Sequence, residues 1–445
     1  MISHGCPGTT TPPEATPPTV TKDASGSYDN TYTWTIDKSV DKTTVKQVGG
    51  NATFNYTVSV SHDGGTISNV KVTGTITVNN PNSADVALES ITDQLDSTTC
   101  NVDTSAGLTI STGNTSFSYE CDLGDSLPSG DVFNKVTVTW SEQTLSDSSH
   151  LAAGSTDYTT GAVPFTGNDI DECVNVTDSY AGTLGTACVG DANPKLFTYS
   201  RTIAVPQFDC QSYDNTATFT TNDSGATGSD SQTVTVCGPA KTGALTIGFW
   251  KTTNGQNLIK TYCVNGPSSL ASYLAGLGSG SGPFADAAGK SCSQLATYVS
   301  SILTGASATD MNKMLKAQMM GTALDVWFSG PGWTATKIGA VKPPSNFLSH
   351  NNLGTFNMDT TAVCPMVDNT TAGTATCKNN LPSTNAVASG AVSSSPMSMQ
   401  AILNFAATTP SPFSGGVWYG GDRTKQEILK NIFDQFNNQL AFGSF

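Results

Sequence analysis

Hydrophobic and polar residues alternate along the first half of the chain, which is the pattern of β-strands that bury one face. Trp34, Ile36 and Val40 fall on one such face together with Lys38. Clusters of Asn, Gly, Asp and Pro separate this run from others of the same kind. Many short strands with turn residues at this spacing predict an Ig-like β-sandwich over residues 28–154.

A second β-module follows the first, and the two share short blocks of similar sequence in the same order. The matching blocks are 91–93 with 176–178, 117–119 with 197–199, and 133–139 with 214–220. Three matches in one order indicate an internal duplication. We therefore expect a second Ig-like sandwich over residues 155–238.

Beyond residue 238 the apolar residues recur at helical spacing, most clearly in 308–328 and 422–440. Each segment has an apolar stripe, and we expect the two stripes to pack together within the chain. Shorter helices are predicted at 267–276, 291–304 and 397–406. Long loops rich in Gly, Ser, Thr and Asn join these segments. The pattern predicts a loop-rich, mainly helical C-terminal domain over residues 239–445.

The segment ahead of the first module, residues 1–27, is rich in Pro and Thr and is predicted to be an extended arm. The predicted fold is therefore mainly β. It consists of the arm, two tandem Ig-like sandwiches and a disulfide-stapled, loop-rich α-helical C-terminal domain.

Eleven cysteines are spread singly through the chain without a CxxC pair, which argues against a zinc or iron–sulfur site. We therefore expect disulfides formed in an oxidising compartment. Cys6, in the predicted arm, is left free or available for an intermolecular bond. The pairs expected from sequence proximity and module limits are Cys100 with Cys121, Cys188 with Cys210, Cys263 with Cys292, Cys364 with Cys377, and Cys173 with Cys237.

The charge of the chain excludes some classes of partner. Charged residues make up only 12% of the 445 residues, and the net charge is −15. Nucleic-acid binding needs a basic surface, so it is not expected. Thr, Ser, Asn and Gly carry the polar surface, as is common in extracellular β-proteins. No apolar run approaches about 18 residues, so no transmembrane segment is expected. Together with the cysteines, this pattern predicts a secreted protein at the cell surface.

Four sequence blocks carry a resemblance to known proteins, namely 32–41, 73–81, 178–185 and 246–252. Their order resembles secreted bacterial surface proteins with tandem Ig-like repeats. In that group a Cys-containing C-terminal region opens with a Gly-aromatic-Trp-Lys-Thr motif, here Gly248–Thr252. The resemblance implies the extracellular location and the architecture but no established activity. Many relatives continue the motif with His, where this chain has Thr253 and Asn254, so no metal ligand is implied.

Three residues of the first module suggest a specific covalent chemistry. Lys38, Asn134 and Asp93 each share a strand face with apolar residues. A buried Lys, an Asn and a protonated acid are the groups that form intramolecular isopeptide bonds in some Gram-positive surface Ig-like domains. The alternative is that Lys38 extends to solvent at a strand end and Asn134 caps a turn. Asn215 recurs in the second module, where we expect no Lys on the first strand.

Acidic loops at 167–172, 222–225 and 229–231 offer oxygen ligands for Ca²⁺, but none has the spacing of an EF-hand. Asp and Asn also form turns, so solvated turn residues are the favoured interpretation. We expect no cofactor and no metal site, with Ca²⁺ as the open alternative.

The function expected from these patterns is that of an extracellular, non-enzymatic structural or adhesive protein. It would associate with itself, as a surface-layer or filament subunit, or with other surface proteins and glycans. No GxSxG, HExxH or phosphate-loop motif nominates a catalytic site. The alternative is a secreted glycan-binding protein or hydrolase whose site lies in the C-terminal domain, where several Trp residues could stack on sugars.

Overall fold

A computed structural model describes residues 13–264, 268–330, 352–371 and 374–445. The chain is mainly β, with disulfides and with helices concentrated in its second half. The strands of residues 13–238 are β1 (Thr19–Lys22), β2 (Ser25–Thr31), β3 (Trp34–Val40), β4 (Thr44–Lys46), β5 (Asn51–His62), β6 (Thr66–Asn80), β7 (Val86–Ala87), β8 (Ser90–Leu95), β9 (Thr98–Val102), β10 (Thr109–Ile110), β11 (Gly113–Gly124), β12 (Phe133–Trp140), β13 (Gln143–Thr144), β14 (His150–Leu151), β15 (Gly154–Ala162), β16 (Phe165–Ile170), β17 (Cys173–Asp178), β18 (Gly182–Cys188), β19 (Lys195–Ala204), β20 (Cys210–Thr221) and β21 (Thr227–Cys237).

Contacts group the chain into two compact units, and each unit is made of three segments. The first unit comprises 1–38, 57–198 and 216–231, and the second comprises 39–56, 199–215 and 232–445. The unit limits fall inside strands β5 and β20, not in loops. The domain boundaries expected at residues 28, 155 and 239 therefore stay a prediction.

The first unit contains a nine-stranded sheet in the order β15-β12-β8-β9-β11-β6-β2-β16, with β1 also paired to β6. Most neighbours are antiparallel, and β16 runs parallel to β2. Alternate residues of β6 and β12 are buried, as the period-2 pattern predicts. Val72, Ile76, Val136 and Val138 belong to the core that they form. The sheets curl into half-barrels, and the tandem Ig-like arrangement stays a prediction.

Two strands lie in the segment that the sequence assigns to an extended arm. β1 pairs with β6, with Val20 opposite Val78 and Lys22 opposite Ile76, and β2 pairs with β6 further along. Val20 and Lys22 are both buried. The arm prediction missed β1 because its four residues contain one apolar side chain and follow a run rich in Pro.

The remaining strands form smaller pairings inside each unit. In the first unit, β17 pairs antiparallel with β18 and with β20. In the second unit, β4 runs parallel to the end of β21. Val174 and Val176 of β17 are buried, and so are Val234 and Val236 of β21. Each strand therefore directs alternate residues into a core.

Among the described residues, the helices lie in the C-terminal region. They are α1 (Ile247–Lys251), α2 (Thr253–Tyr262), α3 (Leu270–Gly276), α4 (Cys292–Thr304), α5 (Met311–Ser329), α6 (Met399–Ala407) and α7 (Arg423–Asn437). Helices α3 to α7 lie close to their expected positions, whereas α1 and α2 were not expected. Short strands accompany them, namely β22 (Asn357–Met358), β23 (Val367–Thr371), β24 (Thr374–Cys377), β25 (Met397–Ser398), β26 (Phe413–Ser414), β27 (Val417–Trp418) and β28 (Gly443–Ser444). In the described part of the chain, no helix is both long and apolar enough to cross a lipid bilayer.

Helices α5 and α7 pack against each other within the second unit, which confirms the expected intramolecular pairing. Phe433 and Phe436 of α7 are fully buried in the core that includes α5. Gly321 allows the close approach: a Cβ there would lie 2.9 Å from Ile247 Cγ2 and 3.1 Å from Asn437 Nδ2.

Five disulfides join ten of the cysteines, and three of the expected pairs are present: Cys100–Cys121, Cys263–Cys292 and Cys364–Cys377. The expected pairs Cys173–Cys237 and Cys188–Cys210 are wrong. Cys173 bonds to Cys188, because the β17–β18 register places them directly opposite each other. Cys210 begins β20, Cys237 ends β21, and these two form the other bond. Cys6 lies outside the described residues.

Candidate functional site

A lysine and an aspartate from two strands of the nine-stranded sheet contact each other where both side chains are buried. Lys22 Nζ contacts the carboxylate of Asp93, and both side chains are 0% exposed. Lys22 comes from β1 and Asp93 from β8. The ammonium position lies 3.6 Å from the centre of the Tyr119 ring, on β11. The amine is therefore enclosed between a carboxyl group and an aromatic face.

Asn134 lies beside this pair on the neighbouring strand. In the β8–β12 register Asp93 is opposite Val136, so Asn134, two residues earlier, is on the same face and diagonal to Asp93. Asn134 is fully buried, and its Nδ2 donates to Cys121 Sγ at 3.6 Å. Among the described residues, Asn134 Oδ1 and Asp93 Oδ2 have no hydrogen-bond partner. Two neighbouring buried oxygens, one from each side chain, thus lack a hydrogen-bond donor.

Burial changes the proton affinity of both members of the pair. Burial lowers the pKa of Lys22, although its hydrogen bond and charge interaction with Asp93 oppose this. Burial raises the pKa of Asp93, whereas its interactions with Lys22 and with the nearby Asn134 amide lower it. Burial has the larger effect, so the pKa of Asp93 is raised. Both changes favour the neutral forms, an amine and a carboxylic acid. A protonated Asp93 could also donate to one of the unsatisfied oxygens.

The Cys100–Cys121 disulfide lies next to the same group. Cys100 is directly opposite Asp93 in the β8–β9 register. One carboxylate oxygen of Asp93 and the two sulfur atoms lie within 4.8 Å of one another, a separation that would suit a metal. The two sulfurs are bonded to each other, however, so neither is the thiolate that a metal requires. The disulfide therefore acts as an apolar neighbour of the site.

The sequence assigned the wrong lysine to this group. Lys38 lies beside Asp178, not beside Asp93, and both side chains of that pair are 0% exposed. Asp178 Oδ1 also accepts from the backbone N–H groups of Tyr180 and Ala181. The lysine beside Asp178 thus comes from β3, outside residues 155–238. Lys22 was missed because it lies in the segment taken for an arm.

The chain thus contains two buried lysine–aspartate pairs that follow its internal duplication. Asp93 and Asp178 end matching sequence blocks, as do Tyr119 and Tyr199. Asn215, the counterpart of Asn134, is fully buried and donates from Nδ2 to Tyr199 Oη at 2.7 Å. One feature of the sequence indicates that both lysines are buried. An apolar residue lies two positions before each of Lys22 and Lys38, so on a strand each lysine shares a face with that residue.

Hydrogen bonds within the protein hold the acidic loops considered for Ca²⁺. The Asp171 carboxylate accepts from Ser224 Oγ at 2.6 Å, from Ser224 N at 2.9 Å and from Asp223 N at 3.3 Å. Burial raises the pKa of Asp171, but these hydrogen bonds outweigh it and hold the pKa below its usual value. Asp230 accepts from the backbone N–H groups of Lys38 and Ser231. These carboxylates therefore fix the loops, and Asp171 is buried and not solvated.

The 246–252 block has a clear structural role in the second unit. Trp250 is fully buried, and its Nε1 donates to Asp325 Oδ1 at 3.0 Å, while Leu245 N donates to Oδ2 at 3.1 Å. Thr246 and Thr252 cap helices α1 and α2. Burial raises the pKa of Asp325 well above its usual range, although the two hydrogen bonds lower it in part. The block therefore anchors the start of the helical region to α5.

The second unit also contains a cavity of about 540 Å³. Trp327 and Tyr273 supply aromatic lining, and Asn352 and Gln400 supply amide groups. Tyr273 Oη donates to Gln400 Oε1 at 3.0 Å. No carboxylate occurs among the described residues that line this cavity. The described lining therefore offers polar and aromatic contacts.

Comparisons with known proteins add no relatives. No protein family model matches the chain. No curated protein has a significantly similar sequence. The chemistry of the described sites therefore has to carry the functional argument.

Proposed function

We propose that this is an extracellular, non-enzymatic structural or adhesive protein built from tandem Ig-like modules and a helical C-terminal domain. The observation that carries the proposal is the complete burial of the Lys22–Asp93 pair. An amine, an acid and an amide are together, but no substrate can reach them from solution. Their chemistry is therefore directed at the protein's own framework.

Disulfides and composition support the extracellular location. Five disulfides link strands and loops in both units. Such bonds persist in oxidising compartments and are rare in the cytosol. Because only 12% of the residues are charged, amide and hydroxyl groups provide most of the polar surface.

The terminal strand of the nine-stranded sheet supports self-association. β15 is the last strand in the sheet order, and most of its residues are exposed. An end strand presents backbone groups that can pair with another chain. Tyr158 of β15 and Phe133 of the adjacent β12 add exposed aromatic surface. These features fit addition of strands between copies in a filament or layer.

Electron microscopy of the full-length chain, combined with light scattering over a range of concentrations, tests the assembly. We expect ordered fibres or sheets that grow with concentration. A protein that stays monomeric at every concentration would contradict the proposed assembly.

A second candidate function is glycan binding in the Trp327 cavity. Aromatic rings beside amide groups suit sugar rings and their hydroxyls. A glycan array with the full-length protein tests this idea. We expect binding that Gln400→Ala weakens, whereas an array without a specific signal would reject the candidate.

A further inference from the structure

We propose that Lys22 and Asn134 form an intramolecular isopeptide bond, with Asp93 moving the protons. The inference goes beyond the proposed function, because the bond would exist whether or not the protein assembles. It differs from the sequence-based hypothesis in its nucleophile, which is Lys22 and not Lys38.

The positions of the three side chains support this chemistry. Asp93 touches Lys22 Nζ and is the diagonal neighbour of Asn134 on the same sheet face. It is thus the common neighbour of the amine and the amide. The free acceptor oxygens, Asp93 Oδ2 and Asn134 Oδ1, can share one proton if Asp93 is protonated. A proton on the amide oxygen makes its carbon more open to attack by an amine.

The surroundings favour the neutral, reactive forms. Lys22, Asp93 and Asn134 are all buried, and Tyr119 and the Cys100–Cys121 disulfide lie against them. A low-dielectric environment disfavours an ammonium–carboxylate pair relative to an amine and an acid. It also keeps out water, which would otherwise compete with the amine for the amide carbon.

The reaction balances without any co-reactant. Neutral Lys22 Nζ attacks Asn134 Cγ, while Asp93 gives its proton to Asn134 Oδ1. Asp93 then takes a proton from Nζ and passes it to Nδ2. As the Cγ–Nδ2 bond breaks, the proton on Oδ1 returns to Asp93. The products are a Lys22 Nζ–Asn134 Cγ amide and one molecule of ammonia, with Asp93 again protonated. No atom changes its oxidation state.

The bond would join the first strand of the sheet to one of its later strands. β1 pairs with β6, whereas β12 lies between β15 and β8 in the sheet order. A covalent link between β1 and β12 closes a long loop of chain, which restricts the unfolded state. Under tension, β1 could not be pulled away without breaking a covalent bond.

Digestion of the reduced full-length protein with a protease that cleaves before aspartate tests the bond directly. The sequence places Lys22 in fragment 1–22 and Asn134 in fragment 131–146. We expect mass spectrometry to find the two fragments joined, at their summed mass less one ammonia, about 17 Da. Recovery of both as separate fragments would overturn the proposal, even if fragment 131–146 had lost ammonia by cyclisation of Asn134.

Variants identify the roles of the three residues. Lys22→Met and Asp93→Asn should both release fragment 131–146 at its full mass. Lys71→Met is the matched control: Lys71 lies on β6, half exposed, with Glu120 as its ion-pair partner, and it should leave the joined fragment intact. A joined fragment in Lys22→Met would contradict the assignment. The wild-type digest decides the matter if a variant fails to fold.

Discussion

Lys22 and Asp93 are 71 residues apart in sequence, yet their charged groups meet where neither side chain reaches solvent. A buried pair of this kind contributes little net stability as an ion pair, because desolvation offsets most of the attraction. Because the Lys22–Asp93 pair lies next to the buried amide of Asn134, a reaction between the lysine and this amide explains the pair better than a gain in stability. This relationship links the fold of the first unit to its proposed chemistry.

Loss of one member of the pair should destabilise the first unit strongly. Lys22→Met removes the proposed bond and leaves Asp93 buried without its partner, and we expect a loss of about 3–5 kcal/mol in the free energy of unfolding. Chemical denaturation of the full chain measures this. The exposed Lys71→Met should change stability by no more than about 0.5 kcal/mol. Similar effects of the two substitutions would argue against a special role for the buried pair.

The buried Asp325 predicts a pH dependence of stability. Burial raises its pKa in the folded chain, so the folded state holds a proton that the unfolded state loses above about pH 4. This group therefore favours unfolding increasingly as pH rises toward its folded pKa. Asp325→Asn keeps an acceptor for Trp250 and cannot ionise. We expect the variant to gain thermal stability relative to the wild type as pH rises above about 4.

Asp310 is the control for that experiment, because its pKa moves in the opposite direction. It caps helix α5 exposed to solvent, and hydrogen bonds from Lys313 lower its pKa. Its contribution is present above its unfolded pKa and is lost as pH falls. Asp310→Asn should therefore lose stability relative to the wild type as pH rises toward the unfolded pKa of this carboxyl, and the difference should stay constant above it. Parallel curves for the two variants would refute the interpretation of Asp325.

Helix packing in the second unit depends on the small size of Gly321. A methyl group there would meet Ile247 and Asn437 closely enough that they must move. We expect Gly321→Ala to cost about 1–3 kcal/mol of unfolding free energy, although alanine favours helices. A methyl group on Gly276, at the end of α3, would meet no atom within 4 Å, so Gly276→Ala should be neutral or stabilising. Equal effects at both glycines would contradict this packing argument.

Self-association through β15 predicts an effect of charge on this strand. Tyr158 is 38% exposed on this strand, and a lysine there should hinder pairing with another copy. We expect Tyr158→Lys to raise the concentration needed for assembly, as measured by light scattering. Tyr180→Lys, at a similarly exposed tyrosine between β17 and β18, should assemble like the wild type. If both variants assemble alike, β15 is not the contact strand.

Apolar residues at helical spacing, such as Phe433 and Phe436 in α7, were sufficient to locate five of the helices. They did not reveal α1 and α2, and they did not show that α5 and α7 are buried on almost every side over much of their length. Sequence periodicity also identified Asp93 and Asn134, which share strand faces with apolar neighbours. It failed for Lys22 because a strand of four residues with one apolar side chain has almost no periodicity. It failed for Cys173 and Cys188 because similar spacings allow several pairings, and only the strand register selects one.

The central claim is that the buried amine of Lys22 and the buried amide of Asn134 react within the protein's own framework. The intact mass of the reduced full-length protein tests this most directly, since reduction restores the hydrogens lost in the disulfides. We expect a mass below that of the sequence by one ammonia, about 17 Da. A mass equal to that of the unmodified sequence would contradict the account.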